Sequence, residues 1–120
     1  MKKILVVDDE PNIGEVLYFF ASQMGFSSDV TNCGEDALDM ICTNDYWAMM
    51  CDFHMPGLNG MEIFDKVREL APELSRKFVL LTGAVFDDTT EIKIAEQNIK
   101  VLTKPFLYSG FQKIFSELEM

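Results

Sequence analysis

Histidine and tryptophan occur once each in this chain, cysteine three times and proline four times in 120 residues. A lone His54, with no second histidine or cysteine at ligand spacing, argues against an imidazole metal site and against a phosphohistidine carrier. The odd set Cys33, Cys42 and Cys51 rules out complete internal pairing and a disulfide scaffold, leaving buried reduced thiols as the expectation. Basic residues are scarce: 10 against 20 acids give a formal charge of −10, which repels a nucleic-acid backbone and disfavours direct DNA binding. No apolar run approaches the roughly 20 residues that span a bilayer. The apolar stretch near the N-terminus is only Ile4 to Val7, cut short by three acids, so it reads as a strand and not a signal peptide. The expected location is the cytoplasm.

What is present is a regular alternation. Short apolar runs at Lys3 to Val7, Ser28 to Thr31, Trp47 to Cys51, Phe78 to Leu81 and Ile99 to Leu102 are separated by helical patterns, as in βα units around a parallel sheet. The first, third and fourth runs are almost continuously apolar, as strands covered on both faces must be. Ile13, Leu17, Phe20 and Met24 mark the first helix, entered at Pro11 and stopped at Gly25. Ala37, Leu38 and Ile41 mark a second, and Ile63, Phe64, Val67 and Leu70 a third that ends before Pro72. A marginal fourth runs from about Asp87 to Gln97, with Thr89 and Thr90 as indifferent helix formers. Leu107, Phe111, Ile114, Phe115 and Leu118 form one apolar stripe on the last. The expected fold is α/β: a flavodoxin-like, doubly wound (βα)5 three-layer sandwich in one domain over 1–120, with no tail for a second activity.

Ligands of such sheets bind beyond the carboxyl ends of the strands, where strand order reverses. Those ends carry Asp8-Asp9-Glu10, Asp52, Thr82-Gly83 and Lys104-Pro105, and right-handed crossovers bring them to one edge. Close-packed carboxylates need a compensating cation, and oxygen ligands suit Mg²⁺ completed by phosphate oxygens. A carboxylate beside such an ion can take a phosphoryl group as a nucleophile. Lys104 then stabilises the equatorial oxygens, and the Thr82 hydroxyl donates to the product.

These motifs, Val6-Val7-Asp8-Asp9-Glu10, Asp52 with Met55-Pro56-Gly57 and Asn59-Gly60, Leu81-Thr82-Gly83, and Lys104-Pro105-Phe106, closely resemble the receiver domain of response regulators over the whole chain. The resemblance implies strand order 2-1-3-4-5 and a two-component or phosphorelay switch in which Asp52 takes its phosphoryl group from a kinase phosphohistidine. It implies that Asp9, Asp52 and the backbone carbonyl of His54 ligate Mg²⁺, that Asp8 acts mainly through water, and that the Lys104-Pro105 bond is cis. The side chains of His54 and Ala84 are expected to tune the lifetime of the aspartyl phosphate. Activity is limited to self-catalysed phosphotransfer and autodephosphorylation, so the chain is not expected to be an enzyme. Expected partners are a histidine kinase or phosphotransfer protein and a downstream protein target or relay, with a monomer or weak phosphorylation-dependent dimer.

Two positions depart from the family pattern. Val101 stands where many receivers carry a Tyr or Phe that turns inward on activation, and a β-branched residue has little rotameric change to offer. Leu107 replaces a polar helix cap, leaving Ser109 to cap a later start. The output face is expected on the fourth helix, fifth strand and fifth helix, with Phe86 and Tyr108 as contacts. Competing readings are a non-phosphorylated adaptor on the same fold, or a receiver trimmed from a hybrid kinase or transcription regulator. A haloacid-dehalogenase-type phosphatase needs an acid where His54 stands, and a nucleotide or flavin protein needs a glycine-rich turn after the first strand.

Overall fold

A computed structural model describes residues 2–83 and 85–119. Five parallel strands, β1 (Lys3–Val7), β2 (Ser27–Thr31), β3 (Ala48–Asp52), β4 (Phe78–Thr82) and β5 (Lys100–Thr103), form one sheet in the order β2-β1-β3-β4-β5. That is the expected topology. The register sets Val7 opposite Cys51, Asp52 opposite Leu81 and Thr82 opposite Thr103, so successive strands end almost level along one edge.

Six helices surround the sheet: α1 (Pro11–Gln23), α2 (Gly34–Thr43), α3 (Gly60–Leu70), α4 (Pro72–Ser75), α5 (Asp88–Gln97) and α6 (Tyr108–Leu118). Side chains alternate across the strands because the period of a strand is two. Ile4, Val6, Met50, Val79 and Leu81 therefore join Leu17, Phe111 and Phe115 on the α1/α6 face. Leu5, Val7, Met49, Cys51 and Leu80 join Ile41, Ile63, Phe64 and Val67 on the other. No helix among the described residues is long and apolar enough to cross a membrane.

Several expectations are corrected. Among the described residues there are six helices and not five, because Pro72 occupies the first position of a further single turn, where its missing N–H costs nothing. Leu107 lies outside the last helix: it is the N-cap of α6, makes no side-chain cap and is 68% exposed. Ser109 consequently sits within the first turn and caps no later start. Of the three cysteines only Cys51 is buried, where loss of solvation raises its thiol pKa; Cys33 is half-buried and Cys42 exposed.

Helix α5 is as marginal as its composition suggests. None of its residues is buried, and it is held by its ends, with Asp87 accepting the Thr90 N–H at 2.8 Å and Asn98 turning out at φ 55°. A salt bridge of 2.6 Å from Lys93 to Asp65 ties it to α3. At the opposite end of the sheet from the acidic strand ends, Trp47 stacks on Phe26 at 5.2 Å, with the ammonium groups of Lys2 and Lys77 4.5 and 4.6 Å from its ring centroid.

Candidate functional site

The order reversal falls between β1 and β3, and there the acidic strand ends meet. Asp8 follows β1 directly, its N–H donating to the Thr31 carbonyl at 3.1 Å. Asp52 is the last residue of β3, buried at 3% exposure, and its Oδ1 accepts the His54 N–H at 3.1 Å. The turn after it is shaped by Gly57 at φ 81°, a conformation glycine adopts without strain. Gly60 then opens α3 against the β3 end: a Cβ there would lie 2.9 Å from Phe53 Cα and 3.0 Å from the Asp52 carbonyl oxygen. Asn59 and Glu62 close a reciprocal capping box on that helix.

Lys104 arrives from β5, its main chain fixed by a 2.7 Å hydrogen bond to the Thr82 carbonyl, with the expected cis bond to Pro105. Its ammonium lies 3.2 Å from Glu10 Oε1, 3.3 Å from Asp52 Oδ2 and 3.6 Å from Asp8 Oδ2. Partial burial disfavours that charge, but the attraction of Asp8 and Asp52 with the hydrogen bonds to Glu10 and Asp52 outweighs it and raises the Lys104 pKa. Asp8 behaves in the opposite way. Burial, with the charges of Asp52 and Glu10 adding, pushes its pKa up to about 6 against the opposing Glu10 N–H and Lys104.

Lys104 thus pairs with three carboxylates, Asp8, Glu10 and Asp52, and these with Asp9 form a cluster of four acids whose ligand oxygens all lie within 4.8 Å of one another. The buried Asp8 Oδ2 has no hydrogen-bond partner among the described residues. An all-oxygen donor set, an orphaned acceptor and excess negative charge fit a hard divalent cation. The pocket has a volume of about 310 Å³ and is lined by Asp9, Glu10, Asp52, His54, Gly83 and Lys104.

The candidates therefore converge, with two refinements. Thr82 is buried at the end of β4, yet it lines a neighbouring apolar cleft of about 700 Å³ with Val85, Phe86, Ile94 and Val101; Gly83 lines both spaces. The His54 side chain is exposed and touches the Phe53 ring, so only its main chain engages Asp52. Ala84 lies outside the described residues. In the sequence Glu10 is one more acid in the run Asp8-Asp9-Glu10 with no role of its own; its nearness to Lys104, 94 residues away in the chain, appears only on folding.

Fold and pocket together define a flavodoxin-like α/β domain whose acidic pocket could hold a cation. Residues 4–116 match the family described as response regulator receiver domain, and the chain belongs to it. Among curated relatives, the transcriptional regulatory protein DltR of Streptococcus agalactiae is 28% identical over 87% of this chain and 46% of its own length. The response regulator ArlR of Staphylococcus haemolyticus is 29% identical over 88% of this chain and 47% of its own. The chain spans about half the length of these relatives. Among solved structures, the response regulator TrrA of Thermotoga maritima, in complex with Mg²⁺ and beryllium fluoride, superposes with a TM-score of 0.83 at 29% identity, covering 98% of this chain and 99% of that one. The chemotaxis protein CheY4 of Vibrio cholerae shares the fold, with a TM-score of 0.86 at 21% identity over 98% of both chains.

Proposed function

We propose that this receiver is a phosphoacceptor switch in which Asp52 takes a phosphoryl group from the phosphohistidine of a kinase or phosphotransfer protein. The observation that carries the reading is the setting of the Asp52 carboxylate: one oxygen is held by the His54 N–H at 3.1 Å and the other faces the Lys104 ammonium at 3.3 Å, at the floor of a pocket. A carboxylate oxygen attacks phosphorus, the O–P bond forms as the P–N bond breaks, and the electron pair leaves on the imidazole. Lys104 meets charge on the transferring group, and the His54 N–H keeps the carboxylate aimed. Asp9, Asp52 and the His54 carbonyl, with Asp8 mainly through water, would hold Mg²⁺, which would supply charge neutralisation of the phosphoryl oxygens. No outside substrate is turned over; the only chemistry is phosphotransfer to Asp52 and its autodephosphorylation.

The added charge of about −1.5 to −2 biases the Thr82-Gly83 segment, which borders both the acidic pocket and the apolar cleft. The face of α5, β5 and α6 is the output surface, because no residue of α5 is fully buried and the helix reorders at low cost. Phe86 and Tyr108 are half-buried there, packed on Phe53 and Phe20, so they contribute edges and not whole rings to a partner. The partner is a protein target or relay in the cytoplasm, met by a monomer or weak phosphorylation-dependent dimer.

The test is exposure to acetyl phosphate or beryllofluoride with Mg²⁺, followed by intact mass and amide spectra, with Asp52→Asn as control. Wild type gains a Mg²⁺-dependent phosphoryl mass that the variant lacks. Identical behaviour of the two proteins would leave a non-phosphorylated adaptor as the better reading.

A further inference from the structure

We infer that Glu10 is a positioning residue that holds the Lys104 ammonium on the rim of the pocket and so restrains modification of Asp52; this rests on the phosphoacceptor reading. Lys104 Nζ is almost equidistant from Glu10 Oε1 at 3.2 Å and Asp52 Oδ2 at 3.3 Å. The two carboxylates are otherwise unlike. The Asp52 side chain is 4% exposed and fixed by the His54 N–H, whereas that of Glu10 is 61% exposed and, among the described residues, bonded only to Lys104.

The Glu10 main chain is anchored, since its N–H donates to Asp8 Oδ1 at 2.9 Å. Its carboxylate therefore swings from a fixed Cα at the pocket wall. An ammonium is a compact point charge with three donors, so a third acid draws it outward without breaking the contact to Asp52. A phosphoryl group entering the pocket adds charge on the Asp52 side, and Lys104 must turn inward to meet it. Release from Glu10 is the cost of that turn. Because the Glu10–Lys104 pair is exposed on the Glu10 side, the restraint is modest and sensitive to salt.

The experiment measures half-saturation by beryllofluoride, read from amide spectra, in wild type, Glu10→Gln, Lys104→Met and the double variant, at low and high ionic strength. Glu10 also stands among acids able to hold the cation, so each titration is run with Mg²⁺ saturating. Glu10→Gln keeps the size and an acceptor but removes the charge. It is expected to bind beryllofluoride roughly two- to fivefold more tightly than wild type at low salt, the scale of one exposed ion pair. The gain shrinks at high salt and vanishes in the Lys104→Met background.

In the protein without Mg²⁺, Glu10→Gln shifts the Lys104 ammonium resonance, a direct sign of the lost contact. An unchanged affinity in Glu10→Gln while wild type responds normally would overturn the role of Glu10 and leave the phosphoacceptor reading intact. A gain that persists without Lys104 would also overturn it, since direct repulsion would then suffice. A wild type that never responds to beryllofluoride would instead sink the phosphoacceptor reading, and this inference with it.

Discussion

The ring of Phe53 meets that of Phe86 edge to face, with centroids 4.9 Å apart and planes at 80°. Phe53 directly follows Asp52, and Phe86 lies on the segment between β4 and α5, so one aromatic contact spans from the end of β3 to the marginal helix. Such pairs contribute about 0.5–1.5 kcal/mol beyond burial. Phe86→Ala is expected to lower stability by about 1–2 kcal/mol in urea denaturation, and to weaken the response of α5 amide signals to beryllofluoride. An undiminished α5 response would place the coupling elsewhere.

Gly60 is held by crowding. An added Cβ would sit 2.8 Å from Leu80 Cδ2 as well as against the backbone of Phe53 and Asp52. A side chain can turn aside, but those main-chain atoms cannot. Gly60→Ala is expected to cost about 1–3 kcal/mol and, by displacing the Asp52 carbonyl, to slow phosphorylation by acetyl phosphate. Denaturation and intact-mass time courses read the two effects separately.

These first two sites show what was legible in the sequence. The five strand-end residues could be found because apolar run length fixes where each strand stops, and topology then brings the stops together. Asn59-Gly60 belonged to the motif, but the reason for glycine lies in Leu80 and the β3 backbone, contacts no local pattern reveals. The same limit hid the pairing of Glu10 with Lys104. Leu107 looked like core because it falls on the helical stripe; the helix starts one residue later, which leaves it outside the packing. Pro72 marks only an ending in the sequence, because proline both stops one helix and starts another, here the turn Pro72–Ser75.

The Lys93–Asp65 bridge is partly exposed, with side chains 36% and 41% accessible, so its loss should cost less than about 1 kcal/mol globally. Its local effect is larger, since α5 has no buried residue of its own. Lys93→Met is expected to speed hydrogen exchange of the α5 amides while leaving those of β1 and β3 unchanged. Uniform exchange rates before and after substitution would show that the bridge does not tether the helix.

Asp8 sets a pH dependence whose sign follows from its environment. Its folded-state pKa of about 6 lies above the ordinary 3.8, so the folded form holds this proton more tightly than the unfolded chain does. Asp8 therefore carries no penalty below about pH 4, an increasing one as pH rises toward 6, and a constant one above. The gap corresponds to about 3 kcal/mol as an order of magnitude. Without Mg²⁺, Asp8→Asn should be more stable than wild type at pH 7 and equal to it near pH 4. Adding Mg²⁺ should stabilise wild type more than the variant, as denaturation midpoints will show.

Trp47, the single tryptophan, immediately precedes β3 and lies close to Lys2 and Lys77, a full strand away from Asp52. Its fluorescence consequently reports loss of the Phe26 stacking on unfolding and stays silent when the pocket fills. The position beside Asp52, Phe53, is where an introduced indole would give an optical signal of the proposed switch.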